Sequence, residues 1–338
     1  MSRRSSMVAT GSDELVMATR VARRHFLDER SKIDIAAEFG ISRFKVARLL
    51  DLARTSGIVS ITITGPGSLD LSLSDRLIQR FGLRHAVVVS TSTGDDARVR
   101  RQLGEVAANL LTEIATPEDV LGIGWARAVL EMAAHLRDLQ VAQVVQLTGA
   151  LTRPDVEVSA TELVRDVARR AQARSSVFYA PMIVSDAAAA KALARQQQIM
   201  DAFARFDSVT KAVIGVGGWN PPSSTLHDAL SQPERDLMRR SGVHADLSGA
   251  LLDARGRPLH TPLSKRIIAI SAQQLRRIPN VIGIAYGLEK VSAAHAAIRG
   301  GYVNSLVTDT AFAQRLLELS ESAEAALLEG QGGTRAIR

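Results

Sequence analysis

Residues 31–56, SKIDIAAEFGISRFKVARLLDLARTS, carry the pattern of two short helices joined by a tight turn. The first predicted helix places its apolar residues on one face and ends at Gly40, which interrupts the chain. Ser42 can cap a second helix. Its apolar residues follow the spacing i, i+3, i+4, i+7 at Val46, Leu49, Leu50 and Ala53. The pattern therefore predicts a helix-turn-helix whose second helix has one buried side and one exposed side.

Basic residues open the second predicted helix, where they are locally unfavourable. A helix N-terminus carries partial positive charge and favours acidic neighbours, yet Arg43 and Lys45 stand there and Arg48 follows one turn later. A phosphate-bearing partner would reverse this preference, because the exposed amides at the helix start and these cations could bind a DNA backbone together. We therefore predict that the segment binds DNA. The predicted contacts are Lys32, Ser42, Arg43, Phe44, Lys45 and Arg48. The alternative is a solvated basic face on a small helical hairpin.

Composition sets limits on the class of protein. With 338 residues, the chain is long enough for two or three domains and a large core. The net charge is +7, and residues 1–60 hold 11 Lys+Arg against 7 Asp+Glu, so more than half of the excess lies near the N-terminus. Such an excess attracts phosphate backbones regardless of sequence, although inert surfaces also carry it. Cysteine is absent, which excludes disulfides, thiolate nucleophiles and cysteine-based metal sites.

Histidine spacing and hydropathy argue against a metal site, a signal peptide and a membrane span. The seven histidines form no H-x-x-x-H or H-x-H pair, so we expect no metal site, and no other motif indicates a cofactor. The opening MSRRSSMVAT lacks the apolar core of a signal peptide. No run approaches the roughly 18 to 20 apolar residues of a membrane span. We therefore expect a cytoplasmic protein.

A boundary between two domains is predicted at Gly65, Pro66 and Gly67, which punctuate the chain. Before it, in GIVSITITG, Val59 begins an alternation of β-branched apolar and hydroxyl residues, which predicts a wing or a strand leading away. A helix is expected over residues 13–28. The predicted divisions are a flexible tail at 1–12, a helix-turn-helix domain at 13–64, an α/β domain at 68–322 and a flexible tail at 323–338.

The second domain alternates short β-branched runs with helical stretches, which predicts an α/β domain with a mostly parallel sheet. The expected strands are 86–89, 120–123, 144–147, 209–216, 267–270, 281–285 and 305–308. The expected helices include 98–114, 129–136, 161–173 and 186–205. Several strands end in glycine or a hydroxyl residue. Because ligands bind at the carboxyl ends of strands in open α/β sheets, we expect one ligand site at this edge.

A series of motifs resembles the SorC family of bacterial transcriptional regulators, which is grouped with the sugar-binding DeoR-type regulators. The match covers about residues 15–320. The motifs are IAAEFGISRFKVARLL, DVLGIGW, VVQLTGAL, FYAPMIVS, AVIGVGGW, GVHADLSGALLDARGRPL and VIGIAYGLEKVSAAHAAIRGGYVNSLVTD, in the order of the family. Any one of them is weak, whereas their order and spacing together are specific.

The resemblance implies a winged helix-turn-helix domain joined to an effector domain of the ribose-phosphate isomerase and glucosamine-phosphate deaminase type. In such regulators this domain binds a sugar, polyol or sugar phosphate, and the chains assemble as dimers or tetramers. Effector binding would change the fit of the DNA-binding domains to two half-sites of a double-stranded operator. Two alternatives stay open. One is a sugar-phosphate isomerase or deaminase, and the other is a protein-docking role for the N-terminal unit, as in a sigma factor.

The turn that follows the predicted strand 120–123 is a candidate effector site. Glycine at the end of a strand lets backbone amides approach an anion or a hydroxyl. The candidate residues are Gly122, Gly124, Trp125, Ala126, Arg127 and Ala128. The family usually continues this turn as Gly-Trp-Gly-x-Thr, so Ala126 adds a methyl group and Ala128 removes a hydroxyl. Arg127 could supply charge. A phosphorylated effector and a free sugar or polyol are equally consistent with this sequence.

Two further residues match effector positions of the family. Asp246, in GVHADLSG, offers a carboxylate that suits adjacent hydroxyls, and Lys290, in YGLEK, offers an ammonium that suits a phosphate. Without the family, a capping aspartate and a solvated lysine are the simpler interpretations. Asp309 is expected to cap the final helix. The aromatic residues Trp125, Trp219 and Tyr286 could stack on a sugar or pack in the core.

Overall fold

The computed structural model describes residues 12–59, 69–91, 95–151 and 158–332. The chain divides into two compact units, Met1–Thr64 and Gly65–Arg338. The residues of the predicted boundary, Gly65, Pro66 and Gly67, lie outside the described ranges. Within the described ranges, no helix combines the length and the apolar character that crossing a bilayer requires.

The smaller unit contains three helices, α1 (Ser12–Phe26), α2 (Lys32–Phe39) and α3 (Arg43–Thr55). Gly40 ends α2 in the left-handed conformation, with φ of 62°, and α3 begins three residues later, at Arg43. The side chain of Ser42 caps α3 by accepting a hydrogen bond from the Lys45 backbone N–H at 3.1 Å. The three helices enclose a small apolar core. Its members are Ala18, Val21, Ala22, Ile35, Val46, Leu49, Leu50 and Ala53.

Of the alternating residues that predicted a wing or strand, only Val59 lies within the described ranges. Val59 is not in a strand, and its backbone N–H donates to the carbonyl of Ala53 at 2.9 Å. Its side chain packs against the core of the smaller unit. Residues 60–68, which carry the rest of the predicted strand, lie outside the described ranges.

The larger unit is built on a seven-stranded parallel sheet in the order β1-β10-β9-β5-β2-β3-β4, with a second, three-stranded antiparallel sheet β6-β7-β8. The strands are β1 (His85–Val89), β2 (Val120–Ile123), β3 (Gln143–Gln146), β4 (Arg174–Ser176), β5 (Lys211–Gly215), β6 (Gly217–Gly218), β7 (Ala245–Leu247), β8 (Ala250–Leu252), β9 (Asn280–Ile284) and β10 (Ser305–Asp309). The mostly parallel α/β fold expected from the sequence is therefore present.

Helices cover both faces of the parallel sheet, so neighbouring residues of a strand point into two different apolar cores. Val213 belongs to one apolar cluster and Ile214 to the other. This double burial explains the continuous apolar runs of these strands. The helices of the larger unit are α4 (Leu71–Phe81), α5 (Asp96–Ile114), α6 (Arg127–His135), α7 (Ala160–Arg170), α8 (Ala187–Ala194), α9 (Gln197–Phe203), α10 (Thr225–Asp228), α11 (Gln232–Arg240), α12 (Ala272–Arg277), α13 (Val291–Arg299) and α14 (Thr310–Gly332).

Strand order reverses between β2 and β5. From β2 the chain adds β3 and β4 on one side, and it then returns so that β5 pairs with the other side of β2. Loops that leave two such strands diverge to opposite sides of the sheet and open a crevice between them. The topology therefore favours a ligand site above the ends of β2 and β5.

Three expectations for the larger unit are corrected. The strand predicted at 267–270 is not formed; Ile267 and Ala269 make only isolated bridges, to Ile183 and Thr148. The helix predicted at 186–205 is two helices, because Gln196 is extended with ψ of 132° and redirects α9, which buries Ile199. The backbone is helical as far as Gly332, where a tail was predicted to start at residue 323.

Candidate functional site

A cavity of about 300 Å³ lies at the carboxyl ends of β2, β5 and β9. Its walls come from the segment after β2, from Gly215–Gly217 at the end of β5, and from Ile284 and Tyr286 at the end of β9. This is the point at which the strand order reverses. The volume lies at the small end of the range that small-molecule sites occupy.

Six of the eight predicted effector residues line this cavity. They are Trp125, Ala126, Arg127, Ala128, Asp246 and Lys290. These residues come from three distant parts of the chain, and the fold brings them together.

The two predicted glycines have a different role. A Cβ on Gly122 would lie 2.9 Å from Leu147 Cδ2 and 3.0 Å from Val209 Cγ1, so this glycine makes room for core side chains. A Cβ on Gly124 would collide with the Ser248 hydroxyl. Neither glycine lines the cavity. The expectation that both bring amides close to a ligand is corrected, because the Gly124 N–H donates to the Val213 carbonyl at 3.0 Å and Gly122 lies within β2.

Asp246 lies in β7, and only 8% of its surface is exposed. The Ser224 hydroxyl donates to Oδ2 at 2.9 Å, and the Gly249 backbone N–H donates to Oδ1 at 2.9 Å. Burial raises the pKa of Asp246 from 3.8 to about 6, because it outweighs these two hydrogen bonds, which favour the charged form. The carboxylate still has lone pairs that could accept hydrogen bonds from ligand hydroxyls.

Two hydroxyls in the cavity wall are buried without a hydrogen-bond partner among the described residues. They are Thr148 Oγ1, just after β3, and Ser223 Oγ, just before the Ser224 that caps α10. Buried polar atoms are nearly always paired, so these two hydroxyls, on residues that line the cavity, are available to pair with a water or ligand there. Sequence reasoning missed both residues. Hydroxyl residues near strand ends were the available signal, but that signal does not show which of them reach the cavity.

A group of positive charges lines another part of the wall, formed by Arg100, Arg127 and Lys290. The Lys290 ammonium lies 4.5 Å from the centre of the Tyr286 ring. Burial lowers the pKa of Lys290, and the nearby Arg127 and Arg100 lower it further, whereas Glu289 and Asp96 oppose this shift. A bound anion would compensate the buried positive charge. The sequence analysis did not include Arg100.

The structure places the remaining predicted residues, Trp219, Trp125 and Asp309, in three different environments. Trp219 is 1% exposed and packs edge-on against His227 in an apolar cluster, so core packing is the correct alternative. Trp125 lines the cavity, and its indole N–H donates to the Val158 carbonyl at 2.7 Å. The cap predicted for Asp309 is confirmed, because its Oδ1 accepts from the Phe312 N–H at 3.0 Å.

The predicted DNA contacts lie in the smaller unit. Lys32 begins α2, Ser42 caps α3, and Arg43, Phe44, Lys45 and Arg48 follow within its first two turns. All six residues are exposed. The buried residues of α3 occupy its other side, and its first turn contains no acidic residue. The unit thus presents a basic, exposed helix start.

The chain is similar to known proteins over most of its length. A family model described as "Putative sugar-binding domain" matches residues 67–318, about three quarters of the chain. The chain is similar to the sorbitol operon regulator of Klebsiella pneumoniae, with 28% identity over 314 residues, 91% of this chain and 99% of that protein. It is also similar to the transcriptional regulator LsrR of Klebsiella pneumoniae subsp. pneumoniae, with 28% identity over 320 residues, 93% of this chain and 95% of that protein.

The fold agrees with a solved structure as well. The crystal structure of the full-length sorbitol operon regulator SorC from Klebsiella pneumoniae matches with a TM-score of 0.69 and 28% identity, over 91% of this chain and 100% of that one. These relatives are named as regulators of transcription, and their names give no support to an isomerase or a deaminase. The chain therefore belongs to the SorC family of bacterial transcriptional regulators, and its larger unit carries the sugar-binding domain of that family.

Proposed function

We propose that the chain binds a double-stranded DNA operator through its N-terminal unit and that a polyhydroxylated effector in the cavity controls this affinity. The observation that carries the proposal is the cavity itself. It combines a buried carboxylate, Asp246, with the unpaired hydroxyls of Thr148 and Ser223, at the strand-order reversal of a sugar-binding domain. Carboxylates and hydroxyls are suited to the adjacent hydroxyl groups of a sugar or polyol.

The DNA-binding part of the proposal rests on α2 and α3. We propose that they form a winged helix-turn-helix, in which α3 enters the major groove and its first residues face base edges. Lys32, Lys45 and the Ser42 hydroxyl would bind phosphates, while Arg43 and Arg48 are placed to reach bases. The exposure of these residues and the absence of acidic residues from the first turn of α3 support this orientation.

A phosphorylated effector is favoured over a free sugar or polyol. Ala126 adds a methyl group and Ala128 lacks the hydroxyl that the family usually offers at this turn, but Arg127 is joined by Arg100 and Lys290 in the cavity wall. Because burial disfavours the charged form of Lys290, an anionic group on the ligand would be stabilised there. Asp246, Thr148 and Ser223 would then bind the hydroxyl groups at the other end of the ligand. At Lys290 the effect of Glu289 on the pKa is larger than that of Arg127, and the effect of Asp96 is larger than that of Arg100, so an anionic ligand group would compete with these two carboxylates.

Control of DNA affinity requires two states. We propose a homo-oligomer, a dimer or a tetramer, whose DNA-binding units fit two half-sites in one state and not in the other. The effector can change operator affinity only by as much as it prefers one state. The same reciprocity means that operator DNA must change effector affinity by an equal factor.

Fluorescence anisotropy tests the proposal with a labelled duplex from the region upstream of the chain's own coding sequence. We expect binding that weakens steeply as salt is raised, because phosphate contacts release counterions. At least one member of a panel of free and phosphorylated sugars and polyols should then shift the curve. Failure to bind the duplex at low ionic strength would contradict DNA recognition. Turnover of a panel member by the pure protein would instead support the isomerase or deaminase alternative.

A further inference from the structure

Phe44 is exposed in a way that the fold of the smaller unit does not explain. It is the second residue of α3, and 85% of its surface is accessible. Two residues later, Val46 is fully buried and belongs to the core of the unit. Leu49 and Leu50 are also buried, and Leu52 is partly buried against the same core.

The Phe44 ring differs from the Phe26 ring in its contacts. It takes part in none of the ring–ring or cation–ring contacts of the described chain, whereas Phe26 is packed against both His25 and Arg54. Phe44 is the most exposed of the large apolar side chains of the described residues, and it lies among the exposed basic residues that open α3. Its surroundings specify the charge of a partner, because Arg43 and Lys45 flank it and the first turn contains no acidic residue.

We infer that Phe44 is a base-reading residue that contacts the 5-methyl group of a thymine in the major groove, an inference that rests on the DNA binding proposed above. The first residues of a recognition helix face the base edges in the major groove. Along those edges every base presents hydrogen-bond donors or acceptors, and thymine alone adds an apolar methyl group. A phenyl ring has no hydrogen bond to offer, so the methyl group is the feature that it can distinguish.

The cap of α3 fixes the direction of this side chain. The Ser42 side chain accepts a hydrogen bond from the Lys45 backbone N–H at 3.1 Å. Phe44 lies between these two residues, so the backbone that carries its side chain is held in the first turn of the helix. The neighbouring cations can bind phosphates on either side of the groove and hold the ring against the base edge between them. Phe44 would therefore contribute selectivity, and its neighbours would contribute affinity that is independent of sequence.

Deoxyuridine provides a direct test, because it is thymine without the 5-methyl group. The full-length protein is first used to select duplexes from a random pool at low ionic strength. The selected consensus is then synthesised with one thymine at a time replaced by deoxyuridine, and each duplex is titrated by fluorescence anisotropy. For wild type we expect about a fourfold loss of affinity at one thymine in each half-site, which is the value of burying one methyl-sized group.

The variants assign that loss to one side chain. Phe44→Ala should bind the thymine and deoxyuridine duplexes equally at that position, and Phe44→Leu should keep part of the difference. Ile33→Ala is the matched control, since Ile33 is the second residue of α2 and is also exposed, at 65%. It should show the wild-type dependence on thymine. Circular dichroism of each variant checks that the helices are intact.

Several results would overturn the inference while leaving DNA recognition in place. One is a wild-type protein that selects a consensus but tolerates deoxyuridine at every thymine. A second is a Phe44→Ala variant that keeps the full wild-type difference, and a third is a Phe44→Ala variant that changes only the oligomeric mass. If no duplex is selected at all, both this inference and the proposed function are wrong.

Discussion

Arg43 and Arg48 lie five residues apart in α3, and both are exposed. We expect Arg43→Ala or Arg48→Ala to weaken operator binding by about 1 to 3 kcal/mol where the lost contact is to a base, with altered selectivity at one base pair. Arg20→Ala is the matched control, because Arg20 is an exposed arginine of α1. It should change affinity little. Anisotropy titrations with single-base operator variants measure both effects, and wild-type affinity in both α3 variants would exclude this helix as the reader.

Asp246 makes the stability of the larger unit depend on pH. Its pKa is raised from 3.8 to about 6 in the folded chain, so between these values the folded state binds a proton that the unfolded state does not. Stability therefore falls as pH rises through this window, by roughly 3 kcal/mol for the shift of about two pH units. The stabilising effect of the proton is fully present below the unfolded pKa and is lost above the folded one.

Asp246→Asn should remove this dependence. The amide oxygen can keep the hydrogen bond from the Gly249 N–H, and the amide does not ionise in either state. Denaturant unfolding of both proteins between about pH 4 and pH 7 measures the difference. The same variant should bind operator DNA normally and respond weakly to the effector. An effector response that overlays the wild-type curve would show that Asp246 is not in the binding site.

At the scale of elements, the turn between α2 and α3 depends on one glycine. Gly40 has φ of 62°, and a Cβ there would meet nothing within 4 Å. The cost of Gly40→Ala is therefore one of backbone conformation, about 1 kcal/mol. We expect amide hydrogen exchange of α2 and α3 to accelerate about fivefold, since their opening becomes easier by that amount.

A glycine of the larger unit serves as the control for that measurement. Gly242 also has positive φ, 79°, and equally open space around its Cβ position. Gly242→Ala should leave exchange in α2 and α3 unchanged. Equal acceleration in both variants would mean that the two units do not unfold independently, and no acceleration in Gly40→Ala would show that the turn tolerates alanine.

At the scale of the whole molecule, effector binding should raise the melting temperature. A ligand that binds only the folded state at about 100 times its dissociation constant adds about 2.7 kcal/mol, which corresponds to about 5 to 10 °C for a domain of this size. We expect phosphorylated sugars to give larger shifts than their unphosphorylated forms. Differential scanning fluorimetry with matched pairs of ligands measures this contrast.

Lys290→Gln should reduce the shift from the phosphorylated ligand and leave the shift from its unphosphorylated form unchanged. Lys265→Gln is the control, because Lys265 is exposed and does not line the cavity. If Lys290→Gln lowers both shifts equally, the lysine does not bind the phosphate. If free sugars stabilise wild type as well as their phosphates do, the effector is not selected by charge.

Local patterns in the sequence determined most of the elements. The positions of Gly40, Ser42 and the apolar stripe of α3 are properties of neighbouring residues, so the helices and their turn could be predicted without distant contacts. The predicted bounds of β2 are those observed, because a buried parallel strand is a continuous apolar run. Prediction was wrong at 267–270, where the apolar run makes isolated bridges and no ladder forms.

The cavity depends on contacts that no local pattern contains. The similarity of motifs to a known family pointed to Asp246 and Lys290, but the orphaned hydroxyls of Thr148 and Ser223 and the charge of Arg100 became visible when the strands were placed in order. Gly122 shows the same limit, because a G-x-G turn is compatible with a backbone that is open to a ligand and equally with one that packs against core side chains. Strand order and side-chain packing join residues far apart in the chain, and burial then sets the charge of each one.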